Sequence, residues 1–146
     1  MEGFFYFYNL EKKIRYTLGK EERLKSRKII EQLFKEGKSF SIFPFRVVWK
    51  YQLHPTTSVL QAGFTASSRN FKKAVDRNRI KRLMKEGYRL QKNALQQLVE
   101  AKEKQLAVFF IYVGKEIPAQ ILVTDKVNQI LKRLQKMVHE ENFGNS

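Results

Sequence analysis

Residues 71–90 read FKKAVDRNRIKRLMKEGYRL, and the phase of this stretch decides how the rest of the chain is laid out. Eight of its twenty residues are Lys or Arg. Close like charges weaken a helix, so their presence together points to a partner that offsets the repulsion. At about 100° per residue, Ile80, Leu83, Met84 and Gly87 share one side, while Lys73, Asn78, Lys81, Arg82, Lys85 and Arg89 fall on the other. A helix over Lys73–Leu90 would dock through the first stripe and hold the second in solvent, with a continuation through Asn93–Ala101. Gly87 then reads as a point where a strand backbone comes close.

The charge is concentrated here. From Arg69 to Lys92 there are ten bases and two acids, Asp76 and Glu86, so these 24 residues hold +8 of the chain's formal +15. A solvated helical face usually mixes signs in i,i+4 pairs, and this one scarcely does. Clustered cations neutralise phosphates and release their counterions, which drives nucleic-acid binding. Asn78, between Arg77 and Arg79, adds an amide that donates and accepts in a fixed plane, suited to a ribose hydroxyl or a base edge.

The remaining composition sets bounds. A length of 146 residues suits one domain with its own core. Twelve Phe, six Tyr and one Trp exclude a disordered basic tail. The absence of Cys removes disulfides, thiol catalysis and cysteine zinc sites, and fits a cytoplasmic location. The longest apolar run, Leu106–Val113, falls far short of the roughly twenty residues of a spanning helix, so no membrane partner is expected. The opening MEGFFYFYNL has an acid at Glu2 and no basic n-region, so residues 1–17 read as a flexible extension or the product of an upstream start, and not as a signal peptide.

Upstream of the basic stretch, Leu24, Ile29, Ile30, Leu33 and Phe34 recur at three- and four-residue spacing, which predicts a helix over Lys20–Glu36 stopped by Gly37. A short strand over Lys38–Ile42 precedes Pro44. FRVVWKY, residues 45–51, alternates: Phe45, Val47, Trp49 and Tyr51 share one face, Arg46, Val48 and Lys50 the other. After the HPTTS connector, Val59–Ala66 reads as the second arm of a hairpin, with Gly63 as its weak point. Leu106–Val113 has no alternation, which predicts a central strand covered on both faces. Thr124 and Asp125 suit the start of a last helix, with Val127, Ile130, Leu131, Leu134 and Val138 as its buried stripe, and residues 139–146 read as a tail. The order helix–strand–strand–strand–helix–strand–helix describes an α+β sandwich.

The segment Lys73–Arg82, KAVDRNRIKR, resembles the RNR signature of the protein subunit of bacterial ribonuclease P. LGKEERLKS at 18–26, FKEGKSF at 34–40, FRVVW and QLAVFFIYV follow in the family's order, and the resemblance covers Leu18 to Val138. It implies a single domain with a four-stranded sheet and a left-handed β-α-β crossover, like domain 2 of ribosomal protein S5, against the usual right-handed rule. It implies three partners: a catalytic ribonuclease P RNA, a precursor tRNA, and Mg²⁺ held mainly by the RNA subunit and substrate phosphates. The activity implied is endonucleolytic removal of the 5′ leader, with catalysis in the RNA and no catalytic residue in this chain. Arg77, Asn78, Arg79, Lys81 and Arg82 match the motif directly. Arg89 matches a basic position further along the helix, Lys85 shares its cationic face, and Arg69, Lys72 and Lys73 match the basic lead-in. A separate cleft between the first helix and the sheet would hold the single-stranded leader. Phe34 matches a cleft aromatic there, its alternative being a plain core residue, and Ile30 stands where the family often has a second Phe. By strand parity Arg46, Val48 and Lys50 face the same cleft.

Nothing suggests a catalytic or metal set in the chain itself. His54 and His139 have no carboxylate or Cys at ligand spacing. Ser67 and Ser68 read as loop residues, and there is no Gly-rich phosphate loop. Three rival readings remain. A stand-alone structured-RNA-binding protein, ribosome-associated, fits the charge equally well and yields only to the RNR segment. A helix-turn-helix DNA binder conflicts with the strands. A protein-only nuclease lacks a metal-binding acid cluster. No obligate protein partner is evident.

Overall fold

The computed structural model describes residues 17–52 and 58–144. The extension through residue 16 and His54 in the connector lie outside the described residues. A turn of 3-10 helix at Lys20–Glu22 leads into α1 (Arg27–Glu36), followed by β1 (Lys38–Ile42), β2 (Phe45–Tyr51), β3 (Leu60–Ala66), α2 (Ala74–Arg89), α3 (Asn93–Ala101), β4 (Leu106–Tyr112) and α4 (Gln120–Gly144). The strands form one sheet in the order β1-β2-β4-β3. This is the expected α+β architecture with a four-stranded, mixed sheet. Among the described residues no helix is long and apolar enough to cross a membrane.

The centre of the sheet follows from β4. Its LAVFFIY is buried at every position except Ile111, so it takes a neighbour on each edge and cover on both faces. That placement overturns the expected hairpin between β2 and β3. β4 lies between them, antiparallel to β2 and parallel to β3, in register from Leu60↔Leu106 to Ala66↔Tyr112. A parallel pair needs a long crossover, which α2 and α3 supply.

The two faces of the sheet are covered unequally. Towards α2 and α4 point Phe45, Val47 and Trp49 of β2 with Val108, Phe110 and Tyr112 of β4, all in the main core. The Phe64 and Phe110 rings stack at 5.2 Å, and Tyr88 of α2 sits edge-on to both. Ile80 and Met84 complete the docking stripe of α2, and the expected stripe of α4 from Val127 to Val138 is buried. On the opposite face, among the described residues, α1 and the segment before it provide the cover, with Leu33 and Leu24 packed in a smaller cluster with Val48, Ala107 and Phe109.

Several local expectations are corrected. The stretch 20–36 is not one helix: Arg23 bridges to Ala62, and the Leu24 N–H donates to the Ala62 carbonyl at 2.9 Å, so this segment runs beside β3. Ser26 then starts α1 as its N-cap, its Oγ accepting from the Ile29 N–H. α4 begins at Gln120, a turn ahead of Thr124, and runs to Gly144 where a tail from 139 was expected. Gly87 faces a helix and not a strand, since a Cβ there would lie 3.5 Å from the Thr124 Cα. Lys92 is fully buried, ion-paired with Glu22 and donating to the Thr17 carbonyl, so it belongs to the frame and not to the charged surface. Pairing is what makes such a buried charge tolerable.

Candidate nucleic-acid interface

The basic lead-in is held by its own uncharged residues. Phe71 is buried against Tyr112, with ring centroids 6.0 Å apart. The Asn70 Nδ2 donates to the carbonyls of Val113 and Gly114 at 3.1 and 3.2 Å. Arg69, Lys72 and Lys73, between and beside these anchors, are exposed. Arg77 is half-buried, and its guanidinium donates to the carbonyls of Phe71 and Lys72 at 2.8 Å each. Arg77 therefore fastens the loop to the first turn of α2.

Asn78, Arg79 and Arg82 are the motif residues that are exposed, while Ile80 one position away from Arg79 is buried. Val75, 73% exposed, adds an apolar patch beside them. Lys81 and Lys85 lie half-buried on the flank, where free exposure was expected. Partial burial, then Arg23, Lys81 and Lys25, hold the Lys85 amine below the ordinary lysine range. Arg23 and Lys25 thus extend the cationic surface. Sequence reasoning missed them because it put them in a helix, and only the pairing of their segment with β3 brings them here. Arg89, also half-buried, makes two 2.6 Å bonds to Glu86. With Arg23, Arg82 and Lys85 it lines a concave groove of about 420 Å³.

On the other face of the sheet, Phe34 is 47% exposed and sits edge-on to Phe109 at 5.2 Å, so it is a surface aromatic and not a core residue. Phe109 lies across Gly63, where a Cβ would come within 2.4 Å of the ring. The apparent weak point of β3 is the place where a ring rests on backbone. Register puts Arg46, Val48 and Lys50 on this face, opposite Ile111, Phe109 and Ala107. The three fare differently. Arg46 is exposed. Val48 is buried under α1 and forms floor, where it was expected to line the cleft. Lys50 donates to Glu36 at 2.5 Å, and this contact holds the Glu36 carboxyl below the usual carboxylate range. Ile30 packs on the same cluster. Phe109 and Ile111 escaped the sequence reading, and Gly63 was read only as a weak point, because strand register alone brings them together.

Among the described residues no three or more His, Asp or Glu side chains are grouped so as to hold a metal ion. His139 is on the exposed side of α4.

The chain also resembles known proteins in sequence and fold. Residues 18–140 match the family model described as Ribonuclease P. The chain is 34% identical over 103 residues to the ribonuclease P protein component of Porphyromonas gingivalis, covering 70% of this chain and 75% of that protein. The structure of the Thermotoga maritima RNase P protein superposes with a TM-score of 0.57 at 26% identity, over 77% of this chain and 96% of that one. The Staphylococcus aureus RNase P protein shares the fold, with a TM-score of 0.58 at 18% identity over 77% of this chain and 94% of that one.

Proposed function

The chain belongs to the bacterial ribonuclease P protein family and acts in tRNA 5′ processing as a component of that ribonucleoprotein endoribonuclease; we propose that it does so by binding two RNAs on two faces. The ridge of α2 and its lead-in, Arg69, Lys72, Lys73, Asn78, Arg79, Lys81, Arg82, Lys85 and Arg89, binds the catalytic RNA subunit, with Arg77 holding the loop in place. The face under α1, with Phe34 and Arg46 exposed above a buried floor of Val48 and Phe109, takes the single-stranded leader of precursor tRNA. The observation that carries this reading is the phase of α2: Asn78, Arg79 and Arg82 stand in solvent while Ile80 and Met84 are buried in the core. A run of cations with so few acids gains from polyanion binding through counterion release.

The described residues do not fit Mg²⁺, so no step of the chemistry is routed through a metal on this chain. In this reading the ions belong with the RNA subunit and the substrate phosphates. The protein's cations reduce the repulsion between two RNA backbones, a role that Mg²⁺ otherwise fills. Single-turnover cleavage tests the proposal. The protein alone should leave precursor tRNA intact, the RNA alone should cut slowly at high Mg²⁺, and the protein should help most at low Mg²⁺ on substrates with a leader. Phe34→Ala should weaken precursor binding and spare mature tRNA. Cleavage by the protein alone would overturn the reading, and equal weakening of both ligands would remove only the leader assignment.

A further inference from the structure

At the end of the sheet where α2 begins, three exposed apolar side chains share one concavity. Phe43, in the turn between β1 and β2, is 75% exposed, Leu122 in the first turn of α4 is 40% exposed, and Val113 is 37% exposed. They line a space of about 490 Å³. Apolar residues scattered singly need no explanation, but a shelf of three with an aromatic ring does. Its rim carries Lys115 and Lys126 against one acid, Glu116. The loop that builds it is fastened, because the Tyr112 hydroxyl donates to the Glu116 carbonyl at 2.5 Å. Gly114 leaves room for that hydroxyl, which a Cβ would approach to 2.5 Å.

The shelf is tied at two points to the proposed RNA face. Asn70 of the basic lead-in holds the Val113 and Gly114 carbonyls. Gln120, two residues before Leu122, donates from Nε2 to the Leu83 carbonyl of α2 at 3.2 Å. Its α4 wall puts it on the α2 side of the sheet, away from α1 and the leader cleft. We propose that this shelf is a second contact for the ribonuclease P RNA, where an unpaired base stacks on Phe43 and its flanking phosphates meet Lys115 and Lys126. The inference rests on the reading of α2 as the surface for that RNA. A nucleotide suits both parts of the site, since every base has a π-face for the ring and every phosphate an attraction to the lysines. A second copy of a chain with a formal charge of +15 would bring like charge to a cationic rim.

The test uses the full chain and a transcript of the ribonuclease P RNA from the same organism. Phe43→Ala should weaken binding about tenfold, Phe43→Trp should retain it, and Phe43→Leu should fall between. All three should melt as the parent does, because the side chain is exposed. A photoreactive benzophenone amino acid at position 43 should cross-link to an unpaired nucleotide of the transcript. If Arg79→Ala weakens binding and Phe43→Ala does not, the shelf is overturned and the α2 reading stands. If neither weakens it, the α2 reading itself fails, and the shelf falls with it. Cross-linking to a second copy or to the chain's own first sixteen residues would replace the occupant. A Phe43→Ala defect seen only with leader-bearing tRNA would assign the shelf to substrate and overturn the proposal.

Discussion

The sheet is closed on one side and half-open on the other, although both sides are built from the same strands. Towards α2 and α4, Phe45, Val47 and Phe110 are wholly buried, and aromatic rings meet edge to face. Towards α1, a helix of ten residues covers Val48 but leaves Phe34 nearly half exposed and Arg46 in solvent. The alternation in FRVVWKY is equally regular on both faces. What differs is the width of the cover: two long helices make a core, while one short helix leaves a surface that can take a ligand. The apolar strand residues Val48, Ala107 and Phe109 are buried even here, so the opening lies at the edge of the helix, at Phe34 and Arg46.

The contrast is sharpest at two adjacent residues of β4. Phe110→Ala should cost about 3–5 kcal/mol of stability, because it opens a cavity among Phe64, Tyr88 and the helices. Phe109→Ala should cost less, since its cluster is smaller and partly open, yet it should weaken precursor binding selectively. Denaturant unfolding and binding to precursor and mature tRNA would separate the two, and equal stability losses would break the contrast.

Next in size is the contrast between the ridge of α2 and the rest of the charged surface. Arg79→Ala should lose about 1–3 kcal/mol of affinity for the RNA subunit, and Lys136→Ala, exposed on α4, almost none. Arg77→Ala should lower both RNA affinity and melting temperature, because two loop carbonyls lose their donor. Equal affinity losses at Arg79 and Lys136, measured over a salt series, would indicate charge without a defined surface.

Lys85 offers a smaller signal. Burial and neighbouring cations depress its pKa, so as pH rises it loses its proton before an ordinary lysine does. RNA phosphates favour the charged form, so binding raises that pKa. Between the depressed value and the ordinary one, RNA binding should take up a proton, and Lys85→Arg should abolish the uptake. Calorimetry in buffers of different ionisation heat would measure it.

The smallest effect belongs to the open face. Glu36→Gln should release Lys50 and tighten precursor binding by about twofold, the scale of an exposed ion pair. Unchanged affinity would mean that Lys50 stays out of the leader's path.

Much of this was legible in the chain. The stripe of Ile80 and Met84, the unbroken apolar run of β4 and the alternation of β2 are local periodicities that burial enforces directly. The charge of residues 69–92 and the RNR segment pointed to RNA before any fold was known. What failed required knowledge of neighbours. Arg23 reads as helix until Ala62 offers it a bridge, Val59–Ala66 reads as a hairpin arm until β4 takes the slot beside β2, and Lys92 reads as surface until Glu22 closes on it.

The sequence by itself determined the order and type of most elements and which stripe of α2 docks, and it pointed to a polyanionic partner, because periodicity and charge act over a few residues. Only the tertiary structure decided which cations reach solvent, that Phe109 rests on Gly63 beneath Phe34, and that Phe43, Val113 and Leu122 meet at one shelf. Those outcomes depend on strand order and register, and these are set by competition among distant segments for the same edges and faces, which no local pattern encodes.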